Sequence, residues 1–293
     1  MILVTGATGL NGGELVRRLS ARGVPVRALV RSRAKAEALR SLPMVEIVEG
    51  DMARPDTLAE ALRGVGRALL ISSSDPTMLE VQSNFIDAAK RAGVRHIVKF
   101  SGIMPDIDSP FRFARMHGEI ERRLERSGLA FTHLRPGEFM HAYFRQVPSI
   151  LAKGAMFLPM EDARIASIDI ADIAEVASFV LTTSGHEGKI YPLTGPEALT
   201  MAEVAERLAR ATGKAIRYVS ITPEEARKVR LAAGMPPYLV DALDELYAER
   251  RRGKEARVFP TVEAILGRPA TPFDTFASRY AAVFRGETSA TTT

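Results

Sequence analysis

Over its first 135 residues the chain alternates short, apolar, β-branched runs with amphipathic stretches. "ILVTG" (2–6), "VPVRALV" (24–30), "VEIVEGD" (45–51), "RALLISS" (67–73), "RHIVKFS" (95–101) and "AFTHLRP" (130–136) read as strands bounded by Gly, Pro or polar turns. Between them the period changes to that of a helix. Residues 12–22 set Leu15, Val16 and Leu19 on one side and stop at Gly23; residues 77–92 set Val81, Phe85 and Ala89 on one face and stop at Gly93. Strands that are nearly continuous in apolar residues and separated by helices predict a parallel sheet covered on both faces, a doubly wound α/β fold of the Rossmann type. A ligand of such a sheet lies across the carboxyl ends of its strands, at the switch point.

After residue 140 the alternation loosens. "HAYFRQVPSILAKGAMFLPMED" suggests a lid-like segment over 140–162, and "RIASIDIADIAEVASFVLTT" returns as one more strand and helix. The expected organisation is a nucleotide-binding domain over 1–185, a smaller and mainly helical substrate-side part over 186–285, and a frayed polar tail over 286–293. Within the second part, Thr200 with Glu203 three residues on has the form of a capping box, and Gly213 stops that helix.

The 293 residues, 46% of them hydrophobic, suffice for a large core. Absence of cysteine removes disulfides, thiolate metal sites and a cysteine nucleophile, and suits a reducing cytoplasm. No signal-peptide pattern and no apolar run of about 20 residues stands in the sequence, so a soluble protein without a membrane partner is expected. The formal charge of +5 is a modest excess of 40 basic over 35 acidic residues. Its densest stretch, "AERRRGKEARV" (248–258), reads as a solvated helix end, and with no reading module beside it no nucleic-acid partner is expected.

The chemistry begins at "MILVTGATGLNGGELV". Gly6, Gly9 and Gly12 form G-x-x-G-x-x-G between a strand and a helix, where glycine permits a tight turn, close approach to a pyrophosphate and helix–strand packing. The helix amino end adds free N–H groups and a favourable dipole for phosphate. Thr8, Leu10 and Asn11 complete this loop as candidate cofactor contacts. At the end of the second strand, where an acid would mark NAD, the chain reads "ALVRSRAKA". Arg31, with Arg33 beside it, matches a 2′-phosphate and points to NADP. Asp51 and Met52, after the third strand, are candidates for the adenine edge and face; Asp51 reads equally well as a turn residue. Five scattered histidines without a ligand-type spacing give no metal site.

These stretches, together with "FIDAAKRAGVRHIVKFSG", "HGEIERRLERSGLAFTHLRPGEFM", "DIADIAEVA" and "YPLTGPEALTMAEVAERLARATGK", resemble the NmrA-like family of atypical or extended short-chain dehydrogenases, in its branch of NAD(P)H-dependent quinone and azo-dye reductases. The resemblance runs to about residue 285. It implies that Gly6 to Gly12 cradle the pyrophosphate, that Ser72 and Ser73 line the ribose, and that Pro136, Gly137, Glu138 and Phe139 lie against the nicotinamide.

Ordinary short-chain dehydrogenases use Tyr-x-x-x-Lys on the helix after the fifth strand, the Tyr exchanging a proton with the substrate oxygen. In "SPFRFARMHGEIERRL" those positions are Phe113 and His117. Phe113 exchanges no proton, which disfavours alcohol oxidation and leaves hydride transfer to an acceptor that is already electron-poor. His117 either contacts the nicotinamide ribose, or donates a proton, or simply packs. Phe113, Phe139 and Tyr143 are candidate acceptor walls, with Tyr143 a second candidate acid. The expected function is NADPH-dependent reduction of a quinone, azo or similar conjugated small molecule without flavin or metal. The alternative is an NADP(H)-binding redox sensor that does not turn over. A monomer and a homodimer fit the sequence alike.

Overall fold

The computed structural model describes residues 1–289; residues 290–293 of the expected tail lie outside the described residues. It is an α/β protein built on a seven-stranded sheet. The strands are β1 (Ile2–Val4), β2 (Val26–Val30), β3 (Val45–Glu49), β4 (Arg67–Leu70), β5 (His96–Phe100), β6 (Ala130–Pro136), β7 (Ala155–Leu158), β8 (Lys189–Leu193) and β9 (Arg217–Ser220). The large sheet runs β3-β2-β1-β4-β5-β6-β8, and its pairings from β3 through β6 are parallel. The order reverses between β1 and β4, so the connections leaving those two strands diverge and open a crevice at their carboxyl ends. All residues of β1 and β5 are buried, as the unbroken apolar runs require of a sheet covered on both faces.

The helices expected near 12–22 and 77–92 are Leu10–Ala21 and Met78–Arg91. Leu15, Val16 and Leu19 of the first, and Phe85, Ile86 and Ala89 of the second, are buried. One core cluster joins Leu3, Ala68, Leu70, Phe85, Ile97, Ile120 and Leu124 beneath the sheet.

Contacts divide the chain into two compact units that interleave along the sequence. The first comprises Met1–Ser109, Phe113–Pro136 and Ile170–Pro192; the second comprises Pro110–Arg112, Gly137–Asp169 and Leu193–Thr293. The expected cut between 185 and 186 is therefore not where the units part: the chain leaves the first unit at the end of β6, returns for the helix Ile170–Thr182 and most of β8, and leaves again. The physical reason is that this helix packs on Leu10–Ala21 and β8 extends the sheet beside β6, so both belong to the first core.

In the second unit β7 and β9 pair in parallel, helix Met201–Thr212 packs on β9, and helix Phe273–Arg279 packs on Met201–Thr212. Thr200 Oγ1 accepts from the Glu203 N–H at 3.2 Å while Glu203 Oε2 accepts from the Thr200 N–H at 2.8 Å, and Gly213 ends the helix in a left-handed conformation, as the sequence predicts. Met140, Tyr143, Ile150, Met156 and Leu158, from the stretch expected to be lid-like, are buried in this unit's core with Phe273, Phe276 and Phe284. No helix among the described residues is long and apolar enough to cross a membrane.

Candidate functional site

The crevice at the switch point is a cavity of about 430 Å³ in the first unit, walled by the loops that follow β1, β2, β3 and β4. Thr8, Leu10 and Asn11 line it with Gly6, Gly9 and Gly12; Arg31, Asp51, Met52, Ser72 and Ser73 line its other sides. Eight sequence-predicted positions on four loops thus join the glycine triplet around one space, because parallel strands deliver all their carboxyl-end loops to the same edge.

Glycine is needed here for reasons the geometry makes specific. Gly6 has φ of +58°, and a Cβ on Gly12 would stand 2.3 Å from the Gly6 carbonyl oxygen. The loop therefore folds against the helix with no room for a side chain. Gly9, the residue before helix Leu10–Ala21, is extended, and no side chain caps that helix. Its first residues line the crevice and their N–H groups have no intrahelical acceptors, which suits an anion. Asn11 Oδ1 is buried and lacks a hydrogen-bond partner, an acceptor that a hydroxyl of a bound nucleotide would satisfy. The residues present thus fit a dinucleotide: the glycine cradle for its pyrophosphate and the exposed guanidinium of Arg31 for a 2′-phosphate. Sequence reasoning missed Thr5, whose Oγ1 donates to the Ile71 carbonyl at 2.6 Å and accepts from the Ile71 N–H at 2.8 Å, tying the ends of β1 and β4 together across the floor. A Thr before a glycine loop carries no local mark of that role.

Other predicted contacts have partners of their own. Asp51 Oδ1 accepts from the Ala53 N–H at 3.0 Å, the turn role, while the residue also faces the cavity. Ser72 Oγ accepts from Gln82 Nε2 at 2.9 Å. Arg33 is exposed and does not line the cavity; its backbone N–H donates to Glu49 at 2.7 Å.

Beside the crevice, at the end of β5, stands a polar group buried within the first unit. Leu70 of β4 pairs with Lys99 of β5, so the residues after Lys99 lie one strand from the cavity wall Ile71–Ser73. His117, on helix Arg112–Arg126, is half-buried, and its ring lies close enough to Gly102 that a Cβ there would come within 3.2 Å of His117 Cδ2. Lys99 is wholly buried; its Nζ donates to the Phe100 carbonyl at 2.6 Å and meets His117 Nδ1 at 3.1 Å. Burial drives the lysine down to about 7, with Glu121 opposing. Burial, then the Lys99 charge, pushes the imidazole well below its ordinary value. Phe113, one turn earlier, packs on the core of the first unit.

The predicted residues after β6 belong to the second unit. Tyr143 is 5% exposed, its hydroxyl shares a hydrogen bond of 2.8 Å with Ser167, and its ring meets Phe273 edge-on. Burial pushes this phenol up. Glu138 pairs with the buried Arg250, which also holds Glu255 at 3.1 Å. Phe139 forms a β-bridge with Ile168, and the Gly137 N–H donates to the Leu193 carbonyl at 2.9 Å. The space bordered by Tyr143, Glu138 and Arg250 is about 40 Å³, room for water but not for an aromatic acceptor. Pro136, the last residue of β6, is buried in the first unit.

Among the described residues Glu121, Glu125 and His133 bring ligand-type atoms within 4.8 Å of one another. Both oxygens of Glu121 are engaged by Arg135, however, and Glu125 meets His133 Nε2 at 3.1 Å, so the group is already balanced by protein partners.

The chain is 42% identical over 284 residues to an NAD(P)H azoreductase of Xenophilus azovorans, covering 97% of this chain and 99% of that protein. It is 37% identical to a (4-alkanoyl-5-oxo-2,5-dihydrofuran-3-yl)methyl phosphate reductase of Streptomyces griseus, over 98% of this chain and all of that one. The crystal structure of an NADPH-dependent quinone oxidoreductase of Escherichia coli complexed with NADPH superposes with a TM-score of 0.87 at 33% identity, over 95% of this chain and 99% of that one. A profile of the NmrA-like family matches residues 1–269, and the chain belongs to that family.

Proposed function

We propose that this protein is an NADPH-dependent reductase that passes a hydride directly to a quinone, azo compound or similar conjugated acceptor, with neither flavin nor metal. The observation that carries the reading is the pairing of a glycine-walled crevice with Phe113 and His117 where a phenol and a lysine would otherwise stand. The chemistry a bound NADPH supplies is hydride donation. Gly6, Gly9 and Gly12 let the backbone close on the pyrophosphate, the helix amino end neutralises part of its charge, and Arg31 selects the 2′-phosphate.

An unactivated ketone needs a proton donor as its oxygen becomes negative, and Phe113 offers none. A conjugated acceptor spreads the incoming charge, so the weaker acid His117 is sufficient for it. The named acceptors of the related azoreductase, quinone oxidoreductase and dihydrofuranone reductase all carry such conjugation. Of the two candidate acids, His117 is the one we assign to proton donation; Tyr143, bonded to Ser167 in a packed interior, anchors the second unit.

Steady-state assays across quinones and azo dyes test this. Saturable NADPH oxidation that depends on the acceptor is expected, and NADPH consumption at the rate of a protein-free control with every acceptor would refute it. Arg31→Glu should weaken NADPH by about 100-fold while leaving NADH within a few-fold, about 2.7 kcal/mol of selectivity. Equal losses of both coenzymes in a fluorescence titration would remove Arg31 from the 2′-phosphate.

A further inference from the structure

We infer that Lys99 is a positioning residue for His117: its ammonium, donating to Nδ1, holds the imidazole as the Nε2–H tautomer and replaces the proton that Nε2 gives to the reduced acceptor. The inference rests on the reductase reading for its chemistry, and on the Lys99–His117 contact for its geometry.

Three features single out this lysine. It sits near the end of a strand with every residue buried, where a charge is costly unless it does something that an apolar side chain would not. Its ammonium meets a carbonyl and an imidazole, not a carboxylate. Glu121, on the helix that carries His117, acts on it through space only and is itself held by Arg135 from β6. The remaining titratable neighbour, His133 on β6, is turned toward Glu125. The lysine charge is thus left for His117. Charged, Lys99 can only donate, so Nδ1 must be bare and the ring hydrogen must be on Nε2. Neutral, the amine can also accept, and the tautomer is no longer fixed.

The proton balance closes. Hydride brings two electrons and one hydrogen to the acceptor and leaves it anionic. The Nε2–H bond breaks and that proton joins the reduced acceptor. Nδ1 takes a proton from Lys99 Nζ, leaving a neutral amine and a neutral imidazole. After product leaves, a proton from water enters at Nε2 and the Nδ1 proton returns to the amine. Because Lys99 titrates near about 7, turnover supported in this way is present below that pH and falls as pH rises through it.

Lys99→Met separates this from a structural role. Methionine fills the same unbranched volume without a donor, so the fold should persist. Its thermal stability at neutral pH should exceed that of the native chain. The native lysine binds its proton less tightly folded than unfolded, so native stability rises with pH from about 7 toward about 10 and the gap closes there.

Two readouts decide the matter. In ¹⁵N spectra of the coenzyme-free protein, His117 should show the Nε2–H tautomer at about pH 6 and lose it above about pH 8, and Lys99→Met should show mixed tautomers throughout. In steady state, Lys99→Met should lower kcat at least ~10-fold at about pH 6, leave the acceptor KM and the NADPH dissociation constant within twofold, and lose the fall near neutrality. Unchanged tautomer in Lys99→Met, or an unchanged pH profile of kcat, overturns the inference. If native protein turns over no acceptor while the spectra behave as expected, the reductase reading fails and the Lys99 assignment to His117 stands.

Discussion

Gly12→Ala should raise the dissociation constant for NADPH by at least ~100-fold, about 2.7 kcal/mol, while leaving a folded protein. The added Cβ would stand 2.3 Å from the Gly6 oxygen and 2.8 Å from its carbonyl carbon. Both are backbone atoms of the loop that we propose cradles the pyrophosphate, and neither can rotate away. Alanine is otherwise the better helix residue by about 1 kcal/mol, so the helix itself should not weaken. The displaced element is the loop. Gly13→Ala, one residue on in the same helix, is the control: its Cβ meets the Ala7 oxygen at 3.3 Å, a contact that a few tenths of an ångström relieves. Binding within about tenfold of native is expected there. Calorimetric titration of both variants, with circular dichroism to verify the fold, checks the pair; equal affinities would separate the glycine cradle from the coenzyme.

The second large effect concerns stability. Arg250→Leu should destabilise the second unit by about 3–5 kcal/mol, because it leaves Glu138 and Glu255 facing each other in the interior without their common cation. The midpoint of thermal unfolding should fall by about 10 °C. Arg250→Leu combined with Glu255→Leu removes one of the two stranded carboxylates and should recover part of the loss. Burial already raises Glu255 above the usual carboxylate range. Its folded form therefore binds a proton more readily than the unfolded chain, and in the single variant, without the opposing Arg250 charge, the deficit should shrink as pH falls through that raised range. A deficit independent of pH would mean that lost packing, not the unpaired acids, sets the cost.

Much of this molecule is legible in its sequence, and the legible parts share a cause. The alternation of strands and helices, the tight glycine turn and the Thr200 capping box all depend on residues within a few positions of one another, where spacing alone dictates local geometry. What was not legible depends on long-range return of the chain. Lys99 sits in "RHIVKFS" like any strand residue, and nothing near it announces an imidazole 18 positions on. Arg250 and Glu138 are 112 positions apart, so the basic run 248–258 reads as a solvated helix end although one of its arginines is 4% exposed. The interleaving of the two units follows from β8 adding to the sheet beside β6, a topological choice that periodicity does not encode. Tyr143 reads as a pocket wall from the aromatic residues beside it in sequence, but Phe273, 130 positions on, meets its ring in a buried core.

Direct hydride transfer in a flavin-free protein is the claim on which the rest depends. The decisive measurement is anaerobic turnover of a quinone by purified protein shown by absorbance to carry no flavin, using NADPH deuterated at nicotinamide C4. Acceptor-dependent loss of the reduced-nicotinamide absorbance, slowed by the deuterium, is the expected result. Tight NADPH binding with no oxidation of the coenzyme by any quinone or azo acceptor, or oxidation only after flavin is added, would contradict it.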